Sequence, residues 1–217
     1  MMAYLSNLLP ILLSGIQLTL IVYVVTLLLS IPLGFLGALL TQSKIKGLTR
    51  IIDVFTWIIR GTPLLLQLYF VFYGLPILFQ ITIRDKRLLF AILTFTINYA
   101  AYFIEIFKGG FASIDPGQWD VSLMLELSRW TTLKSVIIPQ VFANTIYVIG
   151  NEAITLVKDT ALLATVALPD LLMVSKEALS RDARVDALVF SGVFYLLFTL
   201  IVVVTVKSLS QKWKVEV

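Results

Sequence analysis

The first 43 residues of this 217-residue chain contain no charged side chain. About 20 apolar residues suffice to cross the hydrocarbon of a bilayer as a helix. The stretch therefore predicts a membrane span over about 9–41, longer than needed and hence tilted. In lipid only helices and closed barrels satisfy their own backbone, and these long apolar runs lack the alternation of barrel strands. Composition agrees: 59% of the residues are hydrophobic and 14% charged, against about a quarter charged in soluble domains. A secretory leader would have a basic start and a shorter apolar core, so the start reads as a mature span with no cleavable leader. Pro32 is a site for a kink. Ser30, Gly34 and Ala38, four apart, make a flat face on which another helix can pack closely.

Four further spans follow from the apolar runs: about 54–83, 88–107, 136–172 and 187–206. Arg60-Gly61-Thr62-Pro63 interrupts the second early. The fourth is broken by Glu152, by Lys158-Asp159 and by Pro169. Basic or charged loops separate them: Lys44, Lys46 and Arg50; Arg84 to Arg87; and a charged loop from Asp170 to Asp186. The expectation is a single all-α transmembrane domain of about five helices. With the N-terminus outside, the inner segments and the tail with Lys207, Lys212 and Lys214 hold nine Lys and Arg side chains against six outside, leaving Arg60 and Lys158 at membrane depth. The positive-inside rule then favours N-out, C-in.

Absences narrow the chemistry. Without Cys or His there is no thiol nucleophile, imidazole base, disulfide or Cys/His metal site. No basic stripe points to nucleic acid. No phosphate-binding loop of the Gly-x-x-x-x-Gly-Lys-Ser/Thr kind is present, so this chain has no ATP site of its own.

The polar loop between spans three and four, about 109–135, is the most informative segment. Asp115 reads as an N-cap, Pro116 as the first helical residue, and Gln118 follows three after the cap. The helix is expected to run through Trp119 to about Leu127. Ser128 is expected to cap a second short helix through Val136, with Pro139 near the start of the fourth span. Leu123, Leu125 and Leu127 need a partner surface, either lipid or protein. Within the membrane, Asn98, Tyr102 and Glu105 (i, i+4, i+7) share one helix face, as do Glu152, Thr155 and Asp159 (i, i+3, i+7). An ionisable group at that depth costs about 3 kcal/mol or more and so has a partner or lines a cavity. Lys158 and Asp159 can instead pair structurally, Glu105 and Glu152 can lie near the inner headgroups, and Arg60 can reach them by snorkelling.

The loop resembles the Glu-Ala-Ala loop of ATP-binding cassette importer permeases. Asp120-Val121-Ser122 occupies the triplet, Glu126 the glycine position, and Val136-Ile137-Ile138-Pro139 the close. Other segments resemble the polar amino-acid branch of that family. They are Arg60-Gly61-Thr62-Pro63-Leu64-Leu65 with Gln67, Tyr73-Gly74-Leu75-Pro76, Ala101-Tyr102 with Glu105, Ile114-Asp115 with Gly117-Gln118, Pro139-Gln140, Gly150-Asn151-Glu152 and Lys158-Asp159-Thr160. They occur in the family's order.

The resemblance implies the type I importer permease fold and a multi-pass place in the bacterial cytoplasmic membrane. It implies a pore formed with a second permease chain, identical or paralogous, and a loop helix that inserts into a cytoplasmic ATP-binding subunit dimer. ATP and Mg belong to that partner; this chain binds no cofactor or metal and is not itself an enzyme. An extracytoplasmic binding protein delivers the amino acid. Gln67, Tyr73, Asn98, Tyr102, Thr155 and Asp159 are expected on the substrate pathway. Arg60, Gly61, Thr62, Pro63, Asn151, Glu152 and Lys158 are expected as structural motif residues. A stand-alone secondary transporter or channel is the alternative, but no internal repeat of the usual kind is evident.

Overall fold

A computed structural model describes residues 2–43 and 45–212. Lys44 and Lys214 of the predicted basic segments lie outside them. The described chain is helical almost throughout. We number the helices α1 (Met2–Thr41), α2 (Lys46–Arg60), α3 (Leu64–Phe79), α4 (Arg84–Ala112), α5 (Gly117–Met124), α6 (Arg129–Val166), α7 (Leu171–Asp182) and α8 (Asp186–Lys212). Among the described residues α1, α4, α6 and α8 are each long and apolar enough to cross a membrane, and the bent pair α2–α3 meets the same measure only when its two helices are taken together, which gives four spans, or five with the pair counted as one. Every span extends beyond its predicted limits on at least one side, because a helix does not stop at the last apolar residue but continues into the headgroup layer.

At 40 residues α1 is about 60 Å long, twice the hydrocarbon thickness, and it continues unbroken through Pro10 and Pro32. It packs along α4 through the predicted flat face. Ser30 and Ala38 are fully buried, and a Cβ on Gly34 would collide with Phe103 Cβ. Only glycine lets the two backbones come so close. Phe35 of α1, Phe107 of α4 and Phe142 of α6 meet with ring centroids 5.3 Å apart for each pair and lock the three spans together. On α6, Gly150 receives Val206 of α8, 2.6 Å from where its Cβ would be.

The expected charged loop from Asp170 to Asp186 is instead largely the helix α7. Asp170, fully buried, caps it by accepting from Leu172 N (3.1 Å) and Met173 N (3.0 Å). Leu171, Val174 and Ala178 then form an apolar stripe buried against Leu8 and Leu12 of α1 and Ala187 of α8. Charges on the exposed side of a short amphipathic helix had concealed that stripe.

Candidate functional site

The site begins at the break between α2 and α3, whose axes differ by 95°. Pro63 has no N–H to continue the ladder and holds an extended backbone (φ −62°, ψ 136°). Carbonyls freed by the break need donors. Gln67 supplies them: its Nε2 donates to Ile59 O (2.8 Å), Thr62 O (3.2 Å) and Thr62 Oγ1 (2.9 Å). The Thr62 hydroxyl in turn donates to Ile58 O at 3.0 Å. On its other side Gln67 Oε1 accepts from Asn98 Nδ2 of α4 at 3.0 Å. Gln67 is therefore the staple of the bend and does not line the polar cavity beyond it.

That cavity, about 640 Å³, opens between the bend, α4 and α6. Its lining includes Arg60 to Leu65, Asn98, Tyr99, Tyr102, Glu152, Thr155 and Asp159. The Arg60 guanidinium lies over the Tyr102 ring, 5.3 Å from its centroid, and 3.8 Å from Glu105. Glu105 also accepts from Thr56 Oγ1 (2.8 Å) and Lys108 Nζ (2.9 Å), and Lys108 reaches Asp53 at 2.7 Å. Asp53, Arg60, Glu105 and Lys108 thus form a network of two anions and two cations joining α2 to α4. Asp159 accepts from Tyr99 OH at 2.7 Å. Glu152 lines the cavity without a hydrogen bond or ion pair among the described residues. Thr155 Oγ1 donates to Asn151 O at 3.1 Å and keeps its lone pairs free.

The predicted residues therefore divide. Asn98, Tyr102, Thr155 and Asp159 come together on one cavity with Arg60 and Glu152. Tyr73 does not: it is exposed, against Tyr69 in the π turn Phe70–Gly74. Asn151 is exposed as well. Lys158 is exposed and makes no ion pair with Asp159, because successive residues on a helix project about 100° apart. At Lys158–Thr160 the α-helix ends, at Asp159, but the chain continues along the same span. The Thr160 N–H is bonded to Leu156 O, and the helix tightens into a 3₁₀ stretch, Thr160–Val166. Tyr99 was missed because a buried mid-span aromatic reads as core. Its one distinguishing signal is its place on α4, next to the Asn98 and Tyr102 face.

On the side where α4 ends, the loop helix starts one residue later than expected, at Gly117 with Pro116 flanking it. Asp115 Oδ1 accepts from Gly117 N at 2.8 Å, and α5 follows. The helix stops at Met124, short of Leu127, in a Schellman turn: Leu127 N donates to Ser122 O (3.0 Å) and Glu126 N to Leu123 O (3.0 Å). Glu126, in the glycine position of the resemblance, takes the left-handed conformation with φ 56°. For a residue with a Cβ this costs about 1–2 kcal/mol. Ser128 caps α6 by accepting from Thr131 N at 3.1 Å. The second loop helix is not separate, for α6 continues from Arg129 to Val166. A wide π turn, Leu133–Ile137, takes up the bond that Pro139 cannot make. Val121, Leu123, Met124 and Leu125 remain exposed on and beside α5, and Trp119, Asp120 and Leu127 border a second cavity of about 650 Å³ against Leu39, Phe111 and Ile137.

Spans packed around a polar cavity, with an exposed apolar helix beyond the membrane, define the transmembrane subunit of a transporter. The chain belongs to the family of binding-protein-dependent transport system inner membrane components, whose sequence model matches residues 30–215. It is 32% identical to an arginine transport system permease protein of Bacillus subtilis, over 94% of this chain and 93% of that one. It is 30% identical to a glutamine transport system permease protein of Escherichia coli, over 95% and 94%. A crystal structure of an amino acid ABC transporter with histidines superposes with a TM-score of 0.87 at 26% identity, over 97% of both chains. The fold is that of ABC importer permeases.

Proposed function

We propose that this chain is a pore-forming permease subunit through which an ABC importer moves polar amino acids into the cytoplasm, driven by ATP hydrolysis on a separate subunit. The observation that carries the reading is the cavity between the bend, α4 and α6. A zwitterionic amino acid needs a cation for its carboxylate and acceptors for its ammonium. Arg60 offers the first; Glu152 and Asp159 offer the second. The similar arginine and glutamine permease proteins support this substrate class.

The remaining parts follow from the family. A second permease chain, identical or paralogous, completes the pore. The exposed α5 helix, with Asp115 to Ser122 and Glu126, docks in a cytoplasmic ATP-binding subunit that holds ATP and Mg, and a rigid-body switch carries its motion to the spans. An extracytoplasmic binding protein delivers the amino acid. The excess of Lys and Arg on the α5 side supports N-out, C-in placement in a bacterial cytoplasmic membrane.

Reconstitution in vesicles tests the reading. Uptake of a labelled polar amino acid should require this chain, an ATP-binding subunit, the binding protein and ATP together. Uptake by this chain alone, with no ATPase present, would favour the secondary-transporter alternative.

A further inference from the structure

The bend does more than shape the cavity: it settles which end of an amide faces the ligand. Ile59 O and Thr62 O are carbonyls and can only accept, so the Gln67 NH₂ must turn toward them, at 2.8 and 3.2 Å. Thr62 Oγ1 spends its proton on Ile58 O and accepts from the same NH₂. Gln67 Oε1 is thereby directed at Asn98, which must answer with its NH₂, at 3.0 Å. Asn98 is 4% exposed and lines the cavity. With one N–H committed to Gln67, its carbonyl oxygen is left without a partner among the described residues.

We infer that Asn98 is a specificity-determining residue that presents a hydrogen-bond acceptor to the ligand's side chain, and that Gln67 is the positioning residue that fixes its polarity. The inference rests on the proposed amino-acid cavity. Asn98 lies one turn from Tyr102, about 6 Å along α4, and Arg60 stacks on Tyr102. A ligand carboxylate at Arg60 therefore places its side chain beside Asn98. Tyr99 already donates to Asp159, so the near lining is rich in acceptors. It fits side chains that donate an N–H, such as amides, guanidinium or ammonium groups. It opposes carboxylate side chains, which can only accept.

The test is equilibrium competition binding to the complex of this chain with its ATP-binding subunit in nanodiscs, using glutamine, arginine, norvaline and glutamate. Glutamine and arginine should bind about tenfold or more tighter than glutamate, the effect of about one hydrogen bond. Asn98→Leu should remove that advantage and leave norvaline within about twofold. Asn98→Asp, which cannot donate to Gln67 Oε1, should lose the advantage for glutamine as Asn98→Leu does. Gln67→Glu, which cannot donate to the two carbonyls, should weaken donor selectivity as Asn98→Leu does. Tightest binding of glutamate by the unaltered chain would overturn the inference, and so would selectivity unchanged in both Asn98 variants, with the amino-acid reading left standing. Failure of every amino acid to compete would overturn that reading as well.

Discussion

The second and fourth spans carry polar residues at similar depth, yet the chain bends by 95° in one and stays helical in the other. At the second span, Gly61 and Pro63 remove the side-chain and backbone restraints on a helix, and Gln67 waits four residues on to satisfy the freed carbonyls. At the fourth, Glu152, Lys158 and Asp159 add charge but leave every backbone donor in place. The helix continues, and the charged groups find answers sideways: Asp159 on Tyr99, Glu152 on the open cavity. Charge decides where a side chain points. Whether a helix ends depends on the backbone restraint at the break and on a side chain placed to satisfy the carbonyls it frees.

The largest test of this contrast is Gln67→Leu. It leaves Ile59 O, Thr62 O and the Asn98 amide without their partner at once. At about 1 kcal/mol each for groups held away from water, the loss should reach about 3 kcal/mol. It should appear as a lower unfolding temperature in detergent and a smaller folded yield. An unchanged melting curve would mean that the backbone alone holds the bend. Next in size is Tyr99→Phe, which removes the hydrogen bond to Asp159 from a buried phenol. It should destabilise by about 1–2 kcal/mol without changing the helical content of α6, read by circular dichroism. A loss of helix there would show that Asp159 interrupts the span after all.

The same contrast explains what the sequence could reveal. The spans were legible because length and absence of charge suffice to define them. The break at Arg60–Pro63 was legible because glycine and proline act locally. The co-lining of Asn98, Tyr102, Thr155 and Asp159 followed from helical spacing within α4 and within α6. Pairs that cross between helices, Tyr99 with Asp159 and Gln67 with Asn98, were not legible, because nothing in one helix's spacing sets its register against another. Where Tyr73 would lie was not legible for the same reason: its span bends before reaching it, and it stands apart from this cavity. That Asp115 stands at the start of α5 could be read directly, though the helix begins one residue later than its spacing suggested. The left-handed Glu126 could be suspected only because glycine is usual there in the family that the loop resembles.

A smaller effect is expected from Pro63→Ala. Proline presets φ near its observed −62° and limits the unfolded chain, so its loss should cost about 0.5–1 kcal/mol. The bend itself should persist, since Gln67 still claims the carbonyls. Spin-label distances between α2 and α3 should stay the same within error. Straightening of the pair would make proline, and not Gln67, the cause of the break.

The smallest effect is expected from Lys158→Met, and it separates the two spans most sharply. If Lys158 neutralised Asp159, its removal would strand a half-buried carboxylate at a cost of about 3–5 kcal/mol. The geometry gives Asp159 to Tyr99 instead and leaves Lys158 exposed. Exposed substitutions away from special features stay within about 0.5 kcal/mol, so the unfolding temperature of Lys158→Met in detergent should match that of the unaltered chain. The double variant Lys158→Met, Tyr99→Phe should then lose no more than Tyr99→Phe alone, because only Tyr99 is in direct contact with Asp159. Any excess loss in the double variant would measure a coupling through Asp159, and would return the lysine to the network that holds the fourth span.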